Sequence, residues 1–382
     1  MNPRSAGECA RNRTVIPSTK LLALLVHRGV VAPDVARDAL ASGDPGSFLA
    51  KAGVCDAAQW REWQRTEGGT RPVLRRYELG ELLGEGGVGR VFAARDRTDG
   101  REVALKVLRP EHADDAVQAE RFVREARLLM EIDHAHVVKG LRVAKEGSTI
   151  FFAMERLAGR CLQDALADDD FGLPVAGGGG RLDEELALQV VVDIASALQA
   201  LHERGLVHRD VKPGNVIWSE DRGAVLIDLG FALASEGDGA GDTTAGTVHY
   251  IAPEQARGEG DLDVRADIYA LGATLYHLTT GSLPFEGRTS EEVLAKQVLE
   301  SLSGERIRAW NLSPQLRYFL EKMMAKDVEM RFQTPRQLQE EVQAFLAQRR
   351  HERALAERSS RPRLGGRRRS TPPGRSNRRY RR

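Results

Sequence analysis

Two polar clusters, each set at the end of an apolar run, restrict this chain more than any other feature. The first is Val207-His208-Arg209-Asp210-Val211-Lys212-Pro213-Gly214-Asn215-Val216, and the second is Val225-Leu226-Ile227-Asp228-Leu229-Gly230. Charged and amide side chains beside buried strands are costly unless they are paired. Asp210 is suited to accept a proton from an attacking hydroxyl and to aim it. Lys212 can neutralise a phosphoryl group in transit. Asn215, five residues after Asp210, can turn back to hold a metal ion. Mg2+ takes one or two carboxylates together with phosphate oxygens, which makes Asp228 its main protein ligand. Polar residues in a turn are the plain alternative for either cluster alone. The two in this order and spacing argue for phosphate chemistry.

Two features upstream fit that chemistry. Gly84-Glu85-Gly86-Gly87-Val88-Gly89 matches G-x-G-x-x-G and runs into Arg90-Val91-Phe92-Ala93-Ala94, a strand. A dinucleotide-binding fold would run into a helix there. A hairpin with Gly84, Gly86 and Gly89 at its tip lets backbone N–H groups approach phosphates, although an ordinary turn has the same look. Lys106 interrupts the apolar strand Val103-Ala104-Leu105-Lys106-Val107 and needs an anion. Glu125 supplies one: Phe122, Leu129 and Ile132 share its helix face, so this carboxylate is on the buried side.

The rest of the chain divides around these motifs. Residues 1–17 are polar and are expected to be disordered. Residues 18–67 read as a small helical module with helices over Thr19 to Arg28, from Pro33 to just before Gly43, over Ser47 to Ala52, and from an Asp56 cap through Trp60 and Trp63. The two tryptophans read as core before they read as a docking face. Residues 68–76 form a linker. Residues 77–348 open with strands and one helix, Asp114 to Ile132, and turn helical after Arg156. Within them 168–180, with three Asp and four consecutive Gly, read as a flexible insert. Residues 349–382 hold little to bury and are expected to be a disordered tail.

The ordered set of glycine-rich loop, V-A-L-K, H-R-D-x-K-x-x-N, D-L-G and A-P-E (Ala252-Pro253-Glu254) resembles the eukaryotic-type protein kinases, and most closely their bacterial serine/threonine branch, over about Tyr77 to Leu346. The resemblance implies an α+β fold of two lobes, an antiparallel sheet with one helix above a mainly helical lobe, with ATP between them. It implies that Leu83, Val91, Ala104, Met154 and Ile217 line the adenine pocket. Met154 stands at its gatekeeper position, and Glu155 to Leu157 form the hinge whose backbone binds adenine. It pairs Glu254 with Arg331 and has Asp267 tie down the catalytic-loop backbone. ATP is implied as the phosphoryl donor, with Mg2+ or else Mn2+. Lys212 and Thr247 point to serine and threonine acceptors. Arg209 is placed to clamp a phosphate on Thr243 or Thr244, the expected autophosphorylation sites. Leu229 stands where the family usually has Phe, and Val88 where an aromatic is more common.

Composition limits the remaining possibilities. Hydrophobic residues at 41% and charged residues at 29% suit a globular protein with a real core. The longest early apolar run, Leu21 to Val26, is far short of the roughly 20 residues a spanning helix needs, and the opening residues lack a signal-peptide pattern. Cys9, Cys55 and Cys161 form no Cys-x-x-Cys pair. A cytoplasmic protein is the expectation. Net charge is +1, yet residues 349–382 carry 14 Arg and 2 Glu. An acidic body therefore ends in a basic tail, which can bind nucleic acid, an acidic partner or an anionic surface, or simply stay solvated. The competing functional reading is a catalytically weak, kinase-shaped module that binds nucleotide or acts as an adaptor.

Overall fold

The computed structural model describes residues 18–27, 30–56, 74–167, 181–228, 247–302 apart from 261, and 310–360, with 59, 60, 63 and 72 besides. Residues 1–17, most of the 68–76 linker, the 168–180 insert, Thr243, Thr244 and the chain beyond Ser360 lie outside the described residues.

The first helices are α1 (Ser18–His27), α2 (Pro33–Ala41) and α3 (Pro45–Lys51). Proline can occupy the first helical turn, where its missing N–H has no partner to lose, and it does so in α2 and α3. Asp44 caps α3 by accepting from the Ser47 N–H at 3.1 Å. Leu21, Leu22, Leu25, Ala39 and Leu49 close around Trp60 and Trp63, both buried. Gly46 makes room for this, since a Cβ there would collide with the Trp60 ring. The tryptophans are core.

Five antiparallel strands follow, β1 (Tyr77–Glu85), β2 (Gly89–Asp96), β3 (Glu102–Leu108), β4 (Gly140–Glu146) and β5 (Thr149–Glu155), in the order β1-β2-β3-β5-β4. The helix α4 (Ala116–Glu131) packs Phe122, Ala126 and Leu129 inward. It starts at Ala116 rather than Asp114 because Asp115 caps it, accepting from the Val117 and Gln118 N–H groups. Pro110–Ala113 forms a separate short turn before it. Gly140 lets β4 run close under α4, since a Cβ there would meet the Met130 nitrogen at 2.8 Å.

The lower lobe is built on α6 (Glu184–His202) and α7 (Val264–Thr280), which bury side chains almost all round. The short α5 (Leu162–Ala167) precedes them in the chain. A small sheet of β6 (Gly159–Cys161), β7 (Val216–Ser219) and β8 (Gly223–Leu226) faces the upper lobe. Helices α8 (Ser290–Leu299), α9 (Pro314–Met323) and α10 (Pro335–Ser360) complete it. Helix α10 corrects the expected boundary at Arg349, because it continues to Ser360. Arg349 and Arg353 on it reach Glu184 and Glu185 at the start of α6, at 3.9 and 2.5 Å. Ala354, Leu355 and Ala356 are strong helix formers that sustain it. Among the described residues no helix is long and apolar enough to cross a membrane.

One buried ion pair braces this lobe. Arg331 donates to both Glu254 oxygens at 2.6 and 2.7 Å, and also to the carbonyls of Ala325 and Arg265. Its side chain is 0% exposed and that of Glu254 is 7%. Removing one member leaves a buried charge unpaired. Arg331→Met is therefore expected to lower stability by about 3–5 kcal/mol, read as the shift in urea-unfolding free energy.

Candidate active site

Asp267, on α7 and 1% exposed, organises the first polar cluster. Its carboxylate accepts from the backbone N–H groups of His208 and Arg209 at 2.8 and 2.7 Å. Arg209 is held at φ 68°, a left-handed conformation that costs a non-glycine residue energy. The reversed backbone turns Asp210 back toward Lys212 and Asn215. Lys212 Nζ donates to both Asp210 oxygens at 2.9 and 2.7 Å. Asn215 Nδ2 donates to the Asp210 carbonyl at 2.8 Å and to its carboxylate at 2.9 Å.

His208 joins this cluster to the second. Its Nδ1 accepts from the Asp210 N–H at 3.2 Å, which leaves the ring proton on Nε2. That nitrogen donates to the main-chain carbonyl of Asp228. The Ile227 N–H also donates to the Asn215 carbonyl at 3.0 Å. Sequence reasoning assigns His208 no role. Its full burial is what makes it structural, and burial is not readable from an H-R-D string.

The second cluster spans the lobes. Lys106, on β3, reaches Asp228, just past β8, at 2.8 Å to each oxygen. It also lies 3.6 Å from Glu125 on α4. Burial opposes charge on all three groups. For Asp228 the positive charge of Lys106 and hydrogen bonds from Glu125 and Lys106 overcome burial and hold its carboxyl well below the usual range. For Lys106 the two carboxylates overcome burial and hold the ammonium protonated. Glu125 is pushed up, first by burial and then by its neighbour Asp228, against the pull of Lys106.

The expected nucleotide-contacting residues fall on both lobes. Ala104 and Met154 face each other across β3 and β5 and are buried. Val91 and Leu157 pack against the same core. Leu83 stays 45% exposed on β1, and Ile217 belongs to the lower sheet, paired with Cys161 and Val225. At the hairpin tip Gly86 N–H donates to the Gly89 carbonyl at 2.9 Å. Gly89 is required by contact, since a Cβ would lie 2.6 Å from the Val107 carbonyl oxygen, whereas Gly84 has open space. Arg109 supports the tip, donating to the Gly86 carbonyl at 3.1 Å and to Glu85 at 2.8 Å. The Glu155 side chain turns to the back of the hinge, accepting from Arg222 at 2.7 Å and from the Lys139 N–H at 2.9 Å. Neither Arg109 nor Arg222 carries a sequence signal, because arginines on exposed turns are common.

A family model described as Protein kinase domain matches residues 77–342. The chain belongs to the protein kinase family. Among similar curated proteins are a probable serine/threonine-protein kinase PknB of Corynebacterium glutamicum, 38% identical over 60% of this chain and 35% of that protein, and a serine/threonine-protein kinase PknB of Mycolicibacterium smegmatis, 35% identical over 70% of this chain and 42% of that protein. A probable serine/threonine-protein kinase of Clostridium perfringens is 32% identical over 69% of the chain and 37% of its own length. The chain thus spans about two fifths of the length of these relatives. A crystal structure of Rad53 1-466 in complex with AMP-PNP shares the kinase fold, with a TM-score of 0.56 and 22% identity over 69% of this chain and 64% of that one.

Protein kinases hold ATP with a divalent metal. The donor set suits a hard cation: Asn215 spends its amide nitrogen on Asp210, which leaves its oxygen as an acceptor, and the Asp228 carboxylate adds a second oxygen donor. The Lys106 charge also sets a pH response. In Lys106→Met the two half-buried carboxylates lose their cation: the depressed pKa of Asp228 rises above its unfolded value, and that of Glu125, already raised, moves further up. Stability of that kind is present at low pH and lost as pH rises through the folded pKa. The variant is expected to lose stability relative to wild type between about pH 4 and pH 7, checked by urea midpoints across that range.

Proposed function

We propose that this chain is a protein serine/threonine kinase that transfers the γ-phosphoryl group of ATP to hydroxyl side chains of proteins. The observation that carries the reading is the contact of Lys106, from the upper sheet, with Asp228 of the lower lobe, while His208 ties Asp228 to the Asp210–Lys212–Asn215 cluster. In this reading Asp210 orients the acceptor hydroxyl and takes its proton. The hydroxyl oxygen then bonds to the γ-phosphorus as the bond to the β–γ bridging oxygen breaks. Lys212 offsets charge on the moving phosphoryl, and Lys106 holds the α- and β-phosphates from the other side. Gly84, Gly86 and Gly89 cover the triphosphate. Leu83, Val91, Ala104, Met154, Leu157 and Ile217 enclose the adenine, with the backbone of Glu155 at its edge.

Asn215 and Asp228 are the residues that would hold the metal, Mg2+ or else Mn2+, since oxygen donors suit either dication. When bound, it neutralises phosphate charge. The relatives named as serine/threonine kinases support the acceptor class, as does Lys212. The test is transfer from γ-labelled ATP to a serine-containing protein. Asp210→Asn is expected to cut the rate by about 10²–10⁴, the range of general acid–base contributions. Wild-type protein that binds Mg·ATP and transfers no label overturns the reading.

Regulation through Thr243 or Thr244 belongs to the same proposal. Arg209 Nε is buried with no hydrogen-bond partner among the described residues, and a phosphate is the anion such a guanidinium would pair with. Complete dephosphorylation, verified by mass spectrometry, is expected to lower the rate at least several-fold; an unchanged rate removes this element.

A further inference from the structure

The chain passes the catalytic cluster a second time, in the 3-10 turn Thr247–His249 and the helical turn Pro253–Ala256. This segment borders the proton acceptor. Tyr250 is 6% exposed, and its phenol is pushed up first by burial and then by the negative charge of Asp210. Gln255 donates to the Arg209 carbonyl at 3.2 Å. An acceptor hydroxyl that reaches Asp210 therefore arrives with its flanking peptide close to residues 247–250.

No strand pairs with this stretch among the described residues; a side chain holds it. Gln297, on α8 and 0% exposed, donates from Nε2 to the carbonyls of His249 and Val248 at 2.7 and 3.3 Å. Its Oε1 accepts from Tyr269 of α7 at 2.6 Å. The Tyr269 oxygen in turn accepts from Lys326 Nζ at 2.7 Å, and Lys326 donates to the Gln297 main-chain carbonyl at 2.6 Å. Lys326 also lies over the rings of Phe285 and Tyr269, at 4.4 and 5.0 Å.

The direction of this chain matters. As an ammonium Lys326 can only donate, so Tyr269 presents its oxygen to it and its proton to Gln297; burial and the charge of Arg331 pull the Lys326 pKa down to about 7, so this lock belongs to the protonated form. That selects the amide rotamer that aims Nε2, not Oε1, at the two carbonyls. Apolar contacts already hold the same stretch, since Val248 and Ile251 pack on Val293 of α8. A buried amide adds little net stability over an apolar side chain of its size. What it adds is a defined place for two peptide groups.

We propose that Gln297 is a positioning residue for the protein substrate: its two hydrogen bonds set the main chain of Val248 and His249 beside Asp210, and Tyr269 and Lys326 lock its orientation. The inference rests on the kinase reading above. Its test uses the full chain with casein and myelin basic protein as acceptors, and measures KM and kcat for acceptor and for ATP separately. Gln297→Met keeps the size and apolar packing and removes both bonds. Its KM for the acceptor is expected to rise about tenfold, the effect of losing one or two hydrogen bonds, with KM for ATP within about twofold. Lys326→Met, which frees the tyrosine and so the amide, is expected to move the acceptor KM in the same direction. An unchanged acceptor KM in Gln297→Met, or equal rises in both KM values, overturns the inference while the kinase reading stands. Failure of wild-type protein to label either acceptor overturns the kinase reading, and the inference with it.

Discussion

The carboxylate of Asp267 is the fixed point of the site. It is buried in the middle of the lower lobe, on a helix with little exposed surface, and is satisfied by two backbone N–H groups of a loop rather than by a cation. A carboxylate so placed is stable only while that loop stays against it. In return it holds Arg209 in a backbone conformation that the residue would not adopt alone. Asp210, Lys212 and Asn215 take their positions from that reversal. His208, from the same loop, carries the constraint to Asp228. Thus a single buried anion on α7 orients both polar clusters, and through Asp228 it also sets where Lys106 of the upper lobe finds its partner.

The electrostatics around Lys106 are those of a site short of positive charge. Two carboxylates face one ammonium, and they divide it unequally: Asp228 is held ionised at direct contact, while Glu125 at 3.6 Å is pushed up. A dication between the lobes would relieve this imbalance, and so would withdrawal of α4.

Much of this was legible before any coordinates, for a physical reason. Phosphoryl transfer needs particular donors at close quarters, and short loops bring such donors together only at fixed spacings; hence Asp210, Lys212 and Asn215 could be read directly. Glu125 was readable from its helix face, and Glu254 with Arg331 from the family resemblance. What stayed hidden depends on burial or on distant partners. The bridging role of His208 needs knowledge that its ring is enclosed. Gln297 resembles any helical glutamine until α8 is docked on residues 248–249. The run of α10 past Arg349 was masked by arginine-rich composition, which signals solvation equally well in a helix whose charges meet acidic residues on α6.

Arg222 has a mechanical consequence. Its guanidinium grips the carbonyls of Ala135 and Val137 and the Glu155 carboxylate together, and the Val138 N–H is bonded to Leu226 at 2.8 Å. The end of β5 is thereby riveted to the floor beneath it. A few residues on, Gly159 is pinned as well, because a Cβ on it would collide with the Trp218 carbonyl oxygen. The three residues between these anchors, Arg156, Leu157 and Ala158, are therefore held at both ends against the same lower sheet. A base bound as proposed above would meet, at Glu155 to Leu157, a short span whose two ends stay fixed to the lower lobe, so its edge is read by a rigid template.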